Sequence, residues 1–223
     1  MLEIEFQQMD TYISTFIINL ENRNERLKNV LKEFEGKNEF KINVVNAVKH
    51  KIGAVGLFKS IQLAITIAKE NNEDVIIICE DDHVFTEHYS KELLFKNIIE
   101  AHAQGVEILC GGISGGFQIA VPVSKNRIWL DNYYCNQFIV IFKSIYNLIL
   151  NTEFDETKKV DQTLSALTMN KMTIFPFISI QKYFGYSDVS SHNQDDPEWA
   201  RNRFEIASKN LRKVWQVYNF YQS

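Results

Sequence analysis

Strand-like and helix-like stretches take turns through the first half of the chain, and this alternation restricts the fold more than any single motif. "YISTFIINL" (12–20) is apolar and β-branched and predicts a first strand. "RNERLKNVLKEFEG" (23–36) places Leu27, Val30, Leu31 and Phe34 on one helical face and stops at Gly36. "FKINVVNA" (40–47) predicts a second strand. From Gly56 a helix carries Phe58, Ile61, Ile65 and Ala68 at helical spacing, and "DVIIIC" (74–79) is a third strand. Strands joined by helices need crossover connections, so the expected fold is α/β: a mostly parallel central sheet flanked by helices on both faces.

The second half is less regular. A helix is expected over 88–103, then a short strand "VEILC" (106–110), a glycine-rich loop "GGISGG" (111–116), and strands at "NRIWL" and "QFIVIF". "VDQTLSALTMN" (160–170) predicts a helix start, and "MTIFPFISIQ" (172–181) a last strand placed at an edge by Pro176. Asp196-Pro197 reads as an N-cap followed by proline, opening a helix that runs to the C-terminus. Nine glycines and three prolines leave little for a flexible linker, so residues 1–223 are expected to form one domain.

Composition excludes some partners. A net charge of −4 argues against non-specific nucleic-acid binding, which needs a basic excess. Cys79, Cys110 and Cys135 lie far apart in apolar surroundings and read as buried thiols of a reducing compartment. "MLEIEFQQMD" lacks the pattern of a signal peptide, and "QFIVIFKSIYNLIL" is too short to span a bilayer. A cytoplasmic, or cytosol-facing, chain is expected.

The third strand ends in Glu80, Asp81 and Asp82. In open α/β sheets ligands sit beyond the carboxyl ends of strands, and adjacent carboxylates there disfavour one another's ionisation. A hard divalent cation resolves that conflict. On extended backbone Glu80 and Asp82 point one way and Asp81 the other. The alternative is an acidic turn capping the next helix. His83 and His88 read as loop or cap residues, since carboxylates suit Mg²⁺ or Mn²⁺ better than the imidazole-rich sites of zinc. "GGISGG" lacks the Lys-Ser/Thr ending of a P-loop, and no G-x-G-x-x-G follows the first strand.

"INL" with "RNER", then "GAVGLFKSI" opening a helix, then "AKENNEDVIIICEDDHVF", resemble glycosyltransferases of the family 25 type in order and spacing. Those are inverting GT-A enzymes of lipooligosaccharide and related glycan synthesis. The resemblance covers residues 12–90 well and the rest weakly. One departure is Ser60-Ile61, where the family usually has Ser-His. The resemblance implies a GT-A-like fold with a nucleotide-binding half (1–110), an acceptor-side half (111–195) and a C-terminal helix (196–223). It implies a nucleotide-sugar donor, a UDP-hexose such as UDP-galactose or UDP-glucose, held through Mn²⁺ or Mg²⁺, and a cell-surface glycan acceptor.

By the same resemblance Asp82 is a metal ligand, Glu80 contacts the ribose or supports the metal, and Asp81 orients the loop. Inverting transfer needs a base, for which Asp161 ahead of a helix and Asp188 in "YFGYSDVS" are candidates; Asp161 serves equally well as a helix cap. His192 is the candidate for a late metal ligand. Asn19 and Arg23 follow the first strand, where arginine suits phosphate, while Arg26 is expected on the solvated helix surface. Asn46, Ala47 and Lys51 are placed near the base or ribose. "GGISGG" would wall the sugar or acceptor site, and Trp129, Tyr133 and Tyr134 either stack on a sugar or belong to the core. The apolar face of the C-terminal helix is expected to pack on the domain or on a second subunit, as in a homodimer, and its basic residues Arg201, Arg203, Lys209, Arg212 and Lys213 offer, as the second reading, peripheral contact with the inner membrane. Two further readings stay open: an inactive relative that binds glycans or nucleotide sugars, and a nucleotidyltransferase.

Overall fold

The computed structural model describes residues 12–185 and 198–222. The first half runs β1 (Ile13–Asn19), α1 (Asn24–Glu33), β2 (Phe40–Asn46), α2 (Gly53–Glu70), β3 (Val75–Glu80), β4 (His83–Phe85) and α3 (Lys91–Ala103). The second runs β5 (Ile108–Cys110), β6 (Ala120–Ser124), β7 (Arg127–Leu130), β8 (Phe138–Phe142), α4 (Lys143–Leu150) and α5 (Val160–Ala166). It closes with β9 (Lys171–Ile174), β10 (Ser179–Gln181) and α6 (Trp199–Gln222).

Eight strands form one sheet in the order β2-β1-β3-β8-β5-β9-β7-β6. Six share a direction; β7 and β8 run against them. The expected common direction is therefore present, but only β1–β2, β1–β3 and β5–β9 are parallel neighbours. Inserting β8 between β3 and β5 mixes the sheet.

Side-chain alternation splits the core into two layers. Ile76 and Ile78 of β3, with Ile139 and Ile141 of β8, face α2, α4, α5 and α6. Ile77, Cys79, Val140 and Phe142 face the layer of α1 and α3. Both faces of the central strands are dry, which explains their unbroken apolar runs.

Several boundaries differ from the sequence reading. The second helix opens at Gly53 rather than Gly56, and the third at Lys91, where Ser90 Oγ accepts from Leu93 N at 3.1 Å. "MTIFPFISIQ" is not one strand. It breaks at a cis Phe175-Pro176 bond into β9, in the large sheet, and β10, which pairs with β4 in a separate two-stranded sheet. Strands β4 and β6 and helix α4 were not expected. Asp196-Pro197 lies outside the described residues.

Helix α6 docks through Ala200, Phe204, Ala207 and Leu211. Phe204 meets Phe177 edge-on at 6.3 Å, Trp215 meets Phe175 at 5.7 Å, and the Trp215 indole donates to Lys125 O at 2.7 Å. Beyond this seam Val217, Phe220 and Tyr221 are exposed. No described helix is long and apolar enough to cross a membrane. Leu211, fully buried, anchors this seam, and Leu211→Ala is expected to lower unfolding free energy by about 2–5 kcal/mol in urea titrations.

Candidate active site

Strand β3 delivers its carboxylates to a tight turn, residues 81–82, that leads straight into β4. Residues 81 and 82 are turn rather than extended backbone, and Asp81 there meets Arg23 and Arg26 while Asp82 meets Gln181. All three carboxylates line one cavity of about 730 Å³, a volume typical of small-molecule sites.

Asp81 is buried at 4% exposure and takes Arg23 Nη1 at 3.4 Å and Arg26 Nη1 at 3.2 Å. Arg26, expected in solvent, is thus a buried partner of the acidic turn. Asp82 Oδ2 accepts from Gln181 Nε2 at 3.2 Å, while its Oδ1 is enclosed with no hydrogen-bond partner. Burial, then the charge of Asp82, pushes the Glu80 carboxyl well above the usual range. Burial, then Asp81, lifts Asp82 to about 7, against the opposing pull of Arg26 and Arg23. Two carboxylates with raised pKa values in a cavity are a mark of a site made for another charge.

Asp161 joins them from the first turn of α5. The helix cap is Lys159, so Asp161 is not the cap. Its Oδ2 accepts from Cys135 N at 2.9 Å and its Oδ1 from Gln162 N at 2.8 Å. Burial raises its pKa; those two N–H groups pull the other way. Cys135 holds the left-handed backbone with φ of 86°, a costly conformation for a side-chain-bearing residue that the bond to Asp161 helps fix. Its thiol meets Ser114 Oγ at 2.9 Å.

The loop after β2 forms another wall, with Ala47, His50 and Lys51 lining the cavity. Its position follows from the helix it rests on. A Cβ on Gly56 would stand 2.4 Å from Val48 O, and Ser60 Oγ both accepts from Val48 N at 2.8 Å and donates to Gly56 O at 2.7 Å. The "G-x-x-G-x-x-x-S" pattern is therefore a device for seating this loop. Ile61, at the departure from the family pattern, is fully buried core.

Of the residues expected from sequence, Arg23, Ala47, Lys51, Glu80, Asp81, Asp82 and Asp161 meet in the cavity. Asn19 does not: it is buried at 3% and its amide donates to Leu20 O. Asn46 ends β2 with an exposed side chain and does not line the cavity either, because the chain turns inward only at Ala47. Asp188 and His192 lie outside the described residues. His83 is packed among Phe34, Phe85 and Phe138, and burial holds it neutral, with its pKa lowered to about 3. Tyr133 is core, Trp129 donates to Met169 O, and Tyr134 alone of the three aromatics lines the cavity. Within "GGISGG" Ser114 reaches it. The glycines serve close packing, since a Cβ on Gly112 would stand 2.0 Å from Ser179 O.

Sequence reading missed Asn136, Gln181, Trp199 and Arg203 as cavity residues. Trp199 and Arg203 are one turn apart beside the buried stripe of α6, and that spacing is the signal that could have found them.

No protein-family model matches the chain, and no curated protein matches it. Solved structures similar in fold include the "Crystal Structure of A197 from STIV", 12% identical with a TM-score of 0.54, covering 80% of this chain and 87% of that one. A weaker likeness is to apo UDP-glucose pyrophosphorylase, 9% identical with a TM-score of 0.47, over 87% of this chain and 82% of that one. The same enzyme complexed with UDP-glucose gives 9% and 0.45, over 87% and 81%. The likeness to A197 is one of fold.

Two outcomes are expected. Gly56→Ala displaces the 47–51 loop and weakens ligand binding in the cavity at least tenfold, measured by calorimetry. Asp82→Asn removes a carboxylate whose ionised form burial and Asp81 disfavour. A carboxyl with a raised pKa favours folding below the unfolded value and loses that contribution as pH rises towards 7. At pH 8 the metal-free variant should therefore melt about 2–4 °C above wild type, the shift for ~1 kcal/mol in a chain of this size, and the gap should narrow at pH 5.

Proposed function

We propose that this chain is an inverting glycosyltransferase of the family 25 type, with a GT-A-like fold. It would move a hexose from a nucleotide sugar, UDP-galactose or UDP-glucose, to a hydroxyl of a cell-surface glycan such as lipooligosaccharide. The observation that supports this reading is the meeting of Glu80, Asp82 and Asp161 with Arg23 and Lys51 in one cavity at the carboxyl end of β3. Carboxylates there suit a cation and a proton transfer, and the basic side chains suit phosphate.

Among the described residues no group of three His, Cys, Asp or Glu is arranged to hold a metal unaided. Glu80 and Asp82 nonetheless fit Mn²⁺ or Mg²⁺, because Asp82 Oδ1 is enclosed without a partner, and burial and then the charge of Asp82 hold the Glu80 carboxyl well above the usual range. Such ions are often bound through one or two carboxylates, with substrate phosphates completing the shell. When bound, the cation would draw off charge developing on the departing diphosphate.

Asp161 would serve as the base. Its carboxylate is oriented by the N–H groups of Cys135 and Gln162, and burial raises its basicity above that of a free carboxylate. The acceptor oxygen forms its bond to the anomeric carbon as the bond to the diphosphate oxygen breaks, and the acceptor proton passes to Asp161. Asp81, already held by Arg23 and Arg26, would fix the turn.

Calorimetry of UDP with and without Mn²⁺ tests the reading first. Wild type should bind UDP in the presence of metal, and Asp82→Asn should lose most of that affinity. Asp161→Asn should retain UDP binding but transfer or hydrolyse the donor about 10²–10⁴-fold more slowly. A wild type that binds neither UDP, GDP nor CMP with any divalent metal would sink the proposal.

A further inference from the structure

The arginines after β1 both pair with Asp81, at 3.4 Å for Arg23 and 3.2 Å for Arg26. Arg203 is placed differently. It enters the same cavity from near the start of α6. Its guanidinium carbon lies 5.7 Å from the centre of the Trp199 ring, and its Nε is enclosed without a hydrogen bond. The glutamates nearest it in sequence, Glu198 and Glu205, both pair with Arg201 instead, and no carboxylate among the described residues pairs with Arg203. Gly115 of the glycine loop lies against it, within van der Waals reach of Arg203 Nη2, and takes a φ of 130° that favours glycine.

A guanidinium kept beside an aromatic ring, with no carboxylate among the described residues paired to it, is placed to take an anion that enters the cavity. Its planar fork matches two oxygens of a phosphate group. The helix holding it is fixed at Phe204 and Trp215, so the position of the charge is set by packing rather than by a flexible loop.

We propose that Arg203 binds the diphosphate of the ligand, which makes α6 part of the donor site rather than a lid on the core. The choice of a nucleoside diphosphate as ligand rests on the glycosyltransferase reading; the need for a phosphate-type anion does not. Trp199 packs against the guanidinium, and the cavity that Arg203 lines leaves space for the ligand.

The test compares wild type, Arg203→Ala and Arg203→Lys for binding of inorganic pyrophosphate, UDP and uridine by calorimetry with Mn²⁺ present. Arg203→Ala should weaken pyrophosphate and UDP about tenfold to a hundredfold, as expected for loss of a charge-assisted hydrogen bond. Uridine affinity and melting temperature should stay as in wild type, and Arg203→Lys should recover part of the loss. Equal UDP affinity with and without Arg203 overturns the proposal alone. Equal weakening of uridine and UDP also overturns it, because the role is then structural. Pyrophosphate binding that depends on Arg203, without binding of any nucleotide, keeps the proposal and sinks the donor reading. Binding of neither probe by wild type overturns both.

Discussion

Asp81, placed between the guanidinium groups of Arg23 and Arg26, fixes how β3 leaves the sheet. A carboxylate this buried is costly unless it is paired, and removing a partner would strand the charge. The two arginines belong to the start of α1, so the pairing also sets where that helix begins over the end of β1. With Asp81 neutralised from within, the excess negative charge of the turn falls on Glu80 and Asp82. The fold thus separates one carboxylate paired with arginine from two others that line the same cavity.

Backbone approach does the rest. Gly56 lets the 47–51 loop lie against α2, and Gly112 lets the chain after β5 lie against β10, in each case where a methyl group would overlap a carbonyl oxygen. Cys135 takes a left-handed conformation without being glycine, and its N–H turns to Asp161. Of these residues Cys135 itself lines the cavity, while Gly56 and Gly112 seat the segments that lead to its walls.

How much was legible follows from what periodicity can encode. Most strands and helices of residues 12–110 could be read because they are apolar patterns of one period, whereas β4, three residues long, carries too little pattern to be seen. The site residues at strand ends, Glu80, Asp82, Arg23 and Ala47, were legible because the crevice beyond the carboxyl ends of an α/β sheet is known in advance. Asn46 was misplaced by one residue, which at the end of a strand is enough to turn a side chain outward. Arg26 was misread because helix periodicity cannot see the acidic turn it faces. Gln181 and Arg203 were out of reach for a different reason: β10 and α6 join the cavity only through tertiary pairing. The splitting of 172–181 into two strands hid that pairing.

The strand order carries a consequence for how the molecule is made. β8 lies between β3 and β5, and β9 between β5 and β7, while β4 waits for β10 nearly a hundred residues later. A nascent chain emerging from its N-terminus can therefore pair β1 with β2 and β3, but the far edge of β3 stays open until β8 arrives. Such non-local closures slow folding, because loop entropy is lost before the contacts that offset it are made. The acidic turn is synthesised early, yet Gln181 and Arg203 reach it only after most of the sheet is complete. Binding competence is thus among the last properties this chain acquires as it folds.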